Sequence, residues 1–545
     1  MLPPPILGLH FGKQLQRPVD GYALELSNLI PRSGGLCARL PMSELANPAA
    51  QPDWLHSYVN GTTTSMIGVA ANGVVRRHLP TDAAVVALTT GITESVGANV
   101  NGLLVYTGYP TNPPHSYDGT TDATPAFTLP ASGDWSTLTT SDIAGLCVFK
   151  GRVFYWSPKS DELLYTALNA TAGVVSAFAT KTVSDTGGNI KLISKLTMDG
   201  GSGPGDLLVL HLDTGEALIY VGDDPSSAAS FSQAGRFDLP PPVYADSVAS
   251  MGADSVVLTE KGLVPVQAYI KQGFGSPQFD WIAAINPEIE SWFKLRTLTI
   301  RGRVRHFRRN GFLAVMLGES SGNTSALFIM DTTTKAWTRF AFFHDTNNAV
   351  GTIYKQASMT FGNTGFPLTG LQYSDSHEIR AMVEHGGVLY LSARRKSDSR
   401  KQIIKYGDTS AVTSGDFGDT VNRIELQCAH PFIPFPAQVK LSSYMQALTI
   451  NVSQLVKNRS YGVMFDGIPS ETVLVASTDT VVPESAQNAD VYSGGGVGYS
   501  LSFSVKLQVW LSYAFGWDQA VRLELARYVI EPCDPQFANG FEAQQ

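Results

Sequence analysis

Charge is scarce in this chain: Asp, Glu, Lys and Arg make up 16% of its 545 residues. The 39 basic and 47 acidic side chains leave a net charge of −8. No global positive field therefore exists to condense on nucleic acid or an anionic membrane, and any DNA contact has to be local. Cysteine is nearly absent. Cys37, Cys147, Cys428 and Cys533 stand far apart with no CxxC pair, which speaks against a zinc cage or a disulfide framework and for reduced, mostly buried thiols. No apolar run reaches the about 18 residues of a membrane span, so no membrane-spanning segment is expected. The opening MLPPPILGLHFGKQLQRP lacks a charged start followed by a long apolar stretch, and the chain reads as a soluble product of the cytoplasm.

What is present points to strands. Apolar residues make up 43%, with 51 Gly and 31 Pro and many Ser, Thr and Asn, a mixture suited to short strands joined by frequent turns. The length predicts two to four domains unless a repeat spreads the core along the chain. From about residue 62 such a repeat runs through the text. Its hairpins include SMIGVAANGVVRRHL (65–79), LCVFKGRVFYW (146–156), DLLVLHLDTGEALIYVG (206–222), SVVLTEKGLVPV (255–266), FLAVMLGESSGNTSALFIMDTTTKAWTRF (312–340) and GGVLYLSARRKSDSRKQIIKYG (386–407). Their turns fall at Asn72-Gly73, Lys150-Gly151, Asp213 to Gly215 and Lys261-Gly262. Asn-Gly predicts a type I′ turn, whose two central residues need positive φ. The spacing drifts between roughly 40 and 80 residues, too loose for WD40 or Kelch repeats but compatible with degenerate propeller blades. The fold class predicted is all-β, a propeller of about six blades, with a β-sandwich as the alternative. Blades packed radially cover faces that isolated hairpins cannot.

FDWIAAINPEIESWFKL (279–295) predicts a helix with Asn286 as N-cap, Pro287 in the first turn and Glu288 and Glu290 at its positive end. Residues 1–61, Pro-rich and irregular, are expected to form an extended arm, and 62–415 the propeller. Residues 416–545 change spacing; KLSSYMQALTINVSQLV (440–456) and LSFSVKLQVWLSY (501–513) alternate cleanly and predict an additional antiparallel β domain.

The usual catalytic spacings do not occur. GLHFGK (8–13) is one residue short of a phosphate loop, with Gln14 in place of the magnesium-holding hydroxyl. GGSGPGDLL (200–208) sets Asp206 one position late for a calcium nonapeptide and does not recur. His377 and His385 have no zinc spacing. Asp213, Asp223, Asp224 and Asp331 lie in turns, where Asp caps the backbone. A propeller glycosidase would need paired carboxylates, and nothing in the text marks a pair. No catalytic residue, metal or cofactor is expected, and the chain is read as a non-enzyme. The basic segment RGRVRHFRR (301–309) would place Arg301, Arg303 and Arg305 on one face of a strand, with Arg308 and Arg309 beyond. These five are the candidate residues for a subunit interface or a DNA-facing surface, since Arg pairs with carboxylate and phosphate alike; a solvated, charge-protected edge strand is the plainer reading. RRKSDSRK (394–401) reads as a charged loop tip.

ALELSNLIPRSGGLCARLP (23–41) resembles the opening signature of the tail nozzle, or "stabilisation", proteins of short-tailed bacteriophages. In that signature an Asn, a Pro and a Gly-Gly precede an Arg-rich turn. VAANGVV (69–75), HSYDGT (115–120), FKGRVFYW (149–156), the block 187–243 and VLTEKGLVPV (257–266) follow in a similar order. The resemblance covers 20 to about 270, thins afterwards and ends near 420. It implies a structural virion protein: a homo-hexameric β-propeller ring below the portal and adaptor, closing the tail and conducting the genome during ejection. Implied partners are the adaptor or head-to-tail connector, tail fibres or tailspikes, and transient double-stranded DNA. Implied location is the virion tail, assembled in the host cytoplasm. A receptor- or glycan-binding or depolymerising propeller of a tail is the alternative.

Overall fold

The computed structural model describes residues 7–10, most of 22–50, 51–199, 204–272, 280–295, 300–319, 325–342, most of 377–407 and, within 424–530, the backbone of the strands. The molecule is an all-β propeller with a six-blade arrangement of free-standing sheets. Blade 1 (54–87), blade 2 (97–123), blade 3 (145–179) and blade 4 (190–238) have four strands each, and blade 5 (248–265) has three. Blade 6 joins His377–His385, Val388–Arg395 and Lys401–Tyr406 to a fourth strand from far upstream, Met42–Ala46. Between blades 5 and 6 an antiparallel meander, Ile300–Phe307, Phe312–Glu319, Ser325–Asp331 and Trp337–Phe340, fills the remaining sector. The first strand of each sector lies beside the first strand of the next all the way round, so the first strands line the axis.

Each strand sits between neighbouring sheets, so many strands read as continuous apolar runs instead of alternating ones. All of Ser325–Asp331 is buried. Phe307, Phe312 and Phe340 of the meander pack with Met382, Leu389 and Leu391 of blade 6, each fully buried side chain contributing about 1.5–3 kcal/mol. The pairing of Tyr406 with Met42 and Lys405 with Ser43 then ties the end of the ring to its beginning.

The predicted hairpins form, with two refinements. Lys150 and Gly151 both have positive φ, 45° and 76°, between the paired residues Phe149 and Arg152, as a type I′ turn requires. At Asn72-Gly73 only Gly73 is left-handed, φ 83°; its N–H reaches the Ala70 carbonyl at 2.9 Å, and the turn is the wider, bulged kind.

The expected arm, 1–61, is divided differently. Trp54–Asn60 is the inner strand of blade 1 and Met42–Ala46 the outer strand of blade 6. The polar residues His56 and Ser57 break the strand's apolar pattern, yet both are matched inside, by Ser95 at 2.8 Å and His385 at 2.8 Å. The helix also departs from expectation. It spans Asp280–Leu295 with Pro287 in its interior, and Asn286 is no N-cap. Packing outweighs the proline's lost hydrogen bond, because Ile282, Ile285, Ile289 and Trp292 are all buried. The Asn286 amide turns to the edge of three-stranded blade 5, accepting from the Leu263 N–H at 2.8 Å and donating to its carbonyl at 3.4 Å. It does what a fourth strand would do there. A Cβ on Gly262 would meet that amide at 2.1 Å.

Downstream, Ile424–Ala429, Ile433–Asn451, Val456–Phe465, Val497–Leu511 and Arg522–Ile530 pair antiparallel, and both alternating segments predicted beyond 416 fall largely on strands. Glu25–Ser27 joins them to the ring, pairing antiparallel with Ile424–Ala429 and parallel with Trp337–Phe340.

Candidate functional site at the ring axis

An inner strand has no partner on its axial side, so its carbonyls need donors from side chains. Arg303 supplies them. It is 5% exposed, and its guanidinium reaches three sectors besides its own: the Asp246 carboxylate ahead of blade 5 at 3.1 Å, the Arg380 carbonyl of blade 6 at 2.5 Å and the Asp53 carbonyl ahead of blade 1 at 2.8 Å. It also lies 5.7 Å from the Trp54 ring centroid. Only the planar, five-donor arginine fork matches so many acceptors at once. Arg305 binds the same Asp246 carboxylate and the carbonyls of Asp246 at 3.1 Å and Val248 at 3.3 Å. Arg380 pairs with Asp53 at 3.2 Å and Glu378 at 3.0 Å, and Glu378 with Arg394 at 2.7 Å.

Glu94, just ahead of blade 2, crosses the axis from the other side and accepts from the backbone N–H of Ala245. Burial pushes its carboxyl up to about 7, against the pull of that hydrogen bond and of Lys191, with Asp246 adding to the rise. His56 is held down to about 4 by burial, with Asp246 opposing and Arg305 and Arg303 assisting. Two acids thus meet at the axis in unlike settings: Asp246 between two guanidinium groups, and Glu94 desolvated.

The five candidate arginines separate. Arg303 and Arg305 are taken up inside their own chain, so the buried Arg303 offers nothing to a subunit interface or to DNA. Arg308 and Arg309 are exposed at the turn after the inner strand, where the Arg309 stem covers Gly387. The backbone of Arg301 pairs with Gly318; its side chain lies outside the described residues. In the 394–401 loop, Arg395 pairs with Asp398, Arg400 with Glu44 at 2.6 Å, and Lys401 donates to the Ala49 carbonyl at 2.5 Å. Asp224 and Asp331 cap their turns, at Ser226 and Thr333. Asp206 accepts from Thr197 at 2.8 Å; the glycines before it, and most of 8–13, lie outside the described residues. Asp246, Glu94 and Asp53 had no local signal beyond their place just before a strand.

The segment resembling the nozzle signature forms a second buried polar node. Asn28, with positive φ of 61°, donates to the Ala341 carbonyl at 3.0 Å and accepts from the Ala341 N–H at 2.9 Å and Arg39 Nε at 2.7 Å. Both Asn28 and Arg39 are fully buried, and the Arg39 guanidinium stands 5.6 and 5.4 Å from the Phe340 and Phe342 rings. The clasp fixes residues 28–39 to the outer strand of the meander, where the downstream strands also attach.

No protein-family model matches the sequence, and no curated protein does. Among solved structures the chain is similar to BBS1N in its complex with ARL6DN, at 9% identity over 69% of this chain and 98% of that one, TM-score 0.38. It is also similar to BamB from Moraxella catarrhalis, at 8% identity over 70% and 93%, TM-score 0.32, and to the computationally designed Ika8 protein, at 12% identity over 73% and 99%, TM-score 0.32. Scores this low carry nothing toward partners or activity.

Proposed function

We propose that this chain is a structural virion protein of a short-tailed phage, a ring-forming nozzle below the portal and adaptor that closes the tail and conducts the genome during ejection. The observation that carries the reading is the Asn28–Arg39 clasp. The segment most like the nozzle signature is the joint that ties the N-terminal strands to the propeller and to the downstream strands, so its residues have a constructional reason to take that form. A conduit wall has to be rigid, and the closed ring of sheets meets that requirement. Arg303 and Glu94 bridge the propeller's own axis, so in this reading DNA passes between copies of the chain and not through each propeller. Electron microscopy of the phage particle, labelled through this chain, tests it: the label belongs at the distal end of the tail tube, and a label on the capsid or its absence from the virion overturns the reading.

The buried, raised carboxyl of Glu94, with Asp246 near enough to add to the rise, favours a second reading, a glycan-binding or depolymerising propeller, whose chemistry needs two acids. Purified chain that cleaves host polysaccharide, and loses that cleavage in Glu94→Gln, would establish it over the first.

A further inference from the structure

Charge is unevenly distributed round the ring. The described residues of the meander and blade 6, 300–342 and 377–407, hold fourteen Lys or Arg against five Asp or Glu. Residues 42–295, which include blades 1 to 5, hold twelve against twenty-four. Much of this is neutralised internally, so the exposed remainder decides what a partner meets. At the meander that remainder is Arg308 and Arg309, in the turn between its first and second strands, and Lys335, between its third and fourth; all three are exposed. At blade 4 the described residues at the same end of the sheet carry the opposite sign. Asp206 follows the first turn, and Asp223 and Asp224 lie in the loop between the third and fourth strands beside the exposed Val221. Arg152 is turned to Asp224 at 3.2 Å and to the Asp223 carbonyl at 3.1 Å, leaving the Asp206 and Asp223 carboxylates facing solvent.

We infer that these two patches bind each other in trans: Arg308, Arg309 and Lys335 of one copy dock on Asp206, Asp223 and Asp224 of a second copy, head to tail. Equivalent turns lie on the same face of the propeller, so copies related by a simple rotation present the patches at the same height. Blade 4 and the meander stand two sectors apart around the axis, so the contact is heterologous, and it closes into a ring where the rotation it imposes closes. Blade 5 and the helix Asp280–Leu295, which lie between the two patches, then face the inside of that ring. The inference rests on the ring-forming reading above and gives it a contact.

Sedimentation velocity on the full chain tests it with charge swaps. Wild type self-associates at low salt and less so as salt rises. R308E/R309E/K335E and D206K/D223K/D224K each associate at least about 100-fold more weakly, since like charges brought together cost several kcal/mol. Mixing the two variants restores association, because the swapped patches are again complementary. Circular dichroism of each variant alone should match wild type, as Arg308, Arg309, Lys335, Asp206 and Asp223 are exposed and Asp224 serves only its own loop and Arg152. A wild type that stays monomeric at low salt, a variant that associates normally, or a mixture that stays apart overturns the inference. So does an R308E/R309E/K335E variant that loses only DNA binding. Copies that join through these patches in a protein absent from the tail would sink the nozzle reading and leave the contact standing.

Discussion

Arg303 and Arg308 come from one basic segment, yet they do opposite things. Arg303, on the inner strand, spends its guanidinium on an acid and two carbonyls from three other sectors. Arg308, on the turn just beyond, is exposed, and its backbone N–H donates to the Glu384 carboxylate at 3.4 Å. The strand's end separates them. Where inner strands converge, Arg303 is buried against backbone acceptors and an acid, and a cation so placed is structural. Beyond the last paired residue, water does that work and the same cation is free to meet a partner. A run of arginines in a propeller is therefore not one surface but a sample of two environments.

The largest expected effect breaks the first half of this comparison. Arg303→Met removes the fork and leaves the Asp53 and Arg380 carbonyls without that donor, with Asp246 reduced to Arg305. Removing one partner of a buried pair costs about 3–5 kcal/mol, so denaturant unfolding should show a loss of that size or a chain that does not fold. A loss below about 1 kcal/mol would mean the axis is wet enough to replace the guanidinium.

The same contrast separates what was legible in the sequence from what was not. Turn chemistry is local: Lys150-Gly151 announces its hairpin because only certain residues tolerate positive φ. Apolar runs gave the strands and their approximate repeat, hence the propeller. The strand Trp54–Asn60 was hidden because His56 and Ser57 look like loop residues until Ser95 and His385, far along the chain, are brought to them. Asn286 looked like a cap because the edge it serves, Leu263, is distant in sequence. Asp246 and Glu94 matter only through groups on other blades. Period-two placement put Arg303 and Arg305 together correctly; what lay opposite that face could not be read.

Acid sharpens the comparison at intermediate cost. His56, His78 and His211 are each held down to about 4 by burial, from an ordinary value of 6.5. The fold thus binds their protons less well than the unfolded chain does. Their contribution is complete above pH 6.5 and disappears as pH falls through about 4, on the order of 1–3 kcal/mol for each. Glu94 runs the other way. Its carboxyl is raised from 4.5 to about 7, so it disfavours the fold increasingly as pH rises from 4.5 to 7. Denaturant titrations across pH 8 to 4 should show net loss toward acid, because three imidazoles outweigh one carboxyl. Glu94→Gln should stabilise the protein at pH 8 and change little at pH 4. Equal effects at both ends would mean that Glu94 is not desolvated.

The smallest expected effect breaks the other half. Arg308→Ala, Arg309→Ala and Lys335→Ala should each leave the stability of the isolated chain within about 0.5 kcal/mol of wild type, as exposed substitutions away from caps and pairs do. A turn that needed the Arg308 side chain would show a larger loss in the monomer. If stability is unmoved while association weakens, the cost appears only when a second surface takes the water away. The cations at the turn then meet at the interface the desolvation that Arg303 already meets at the axis, and the two halves of the segment differ only in when their partner arrives.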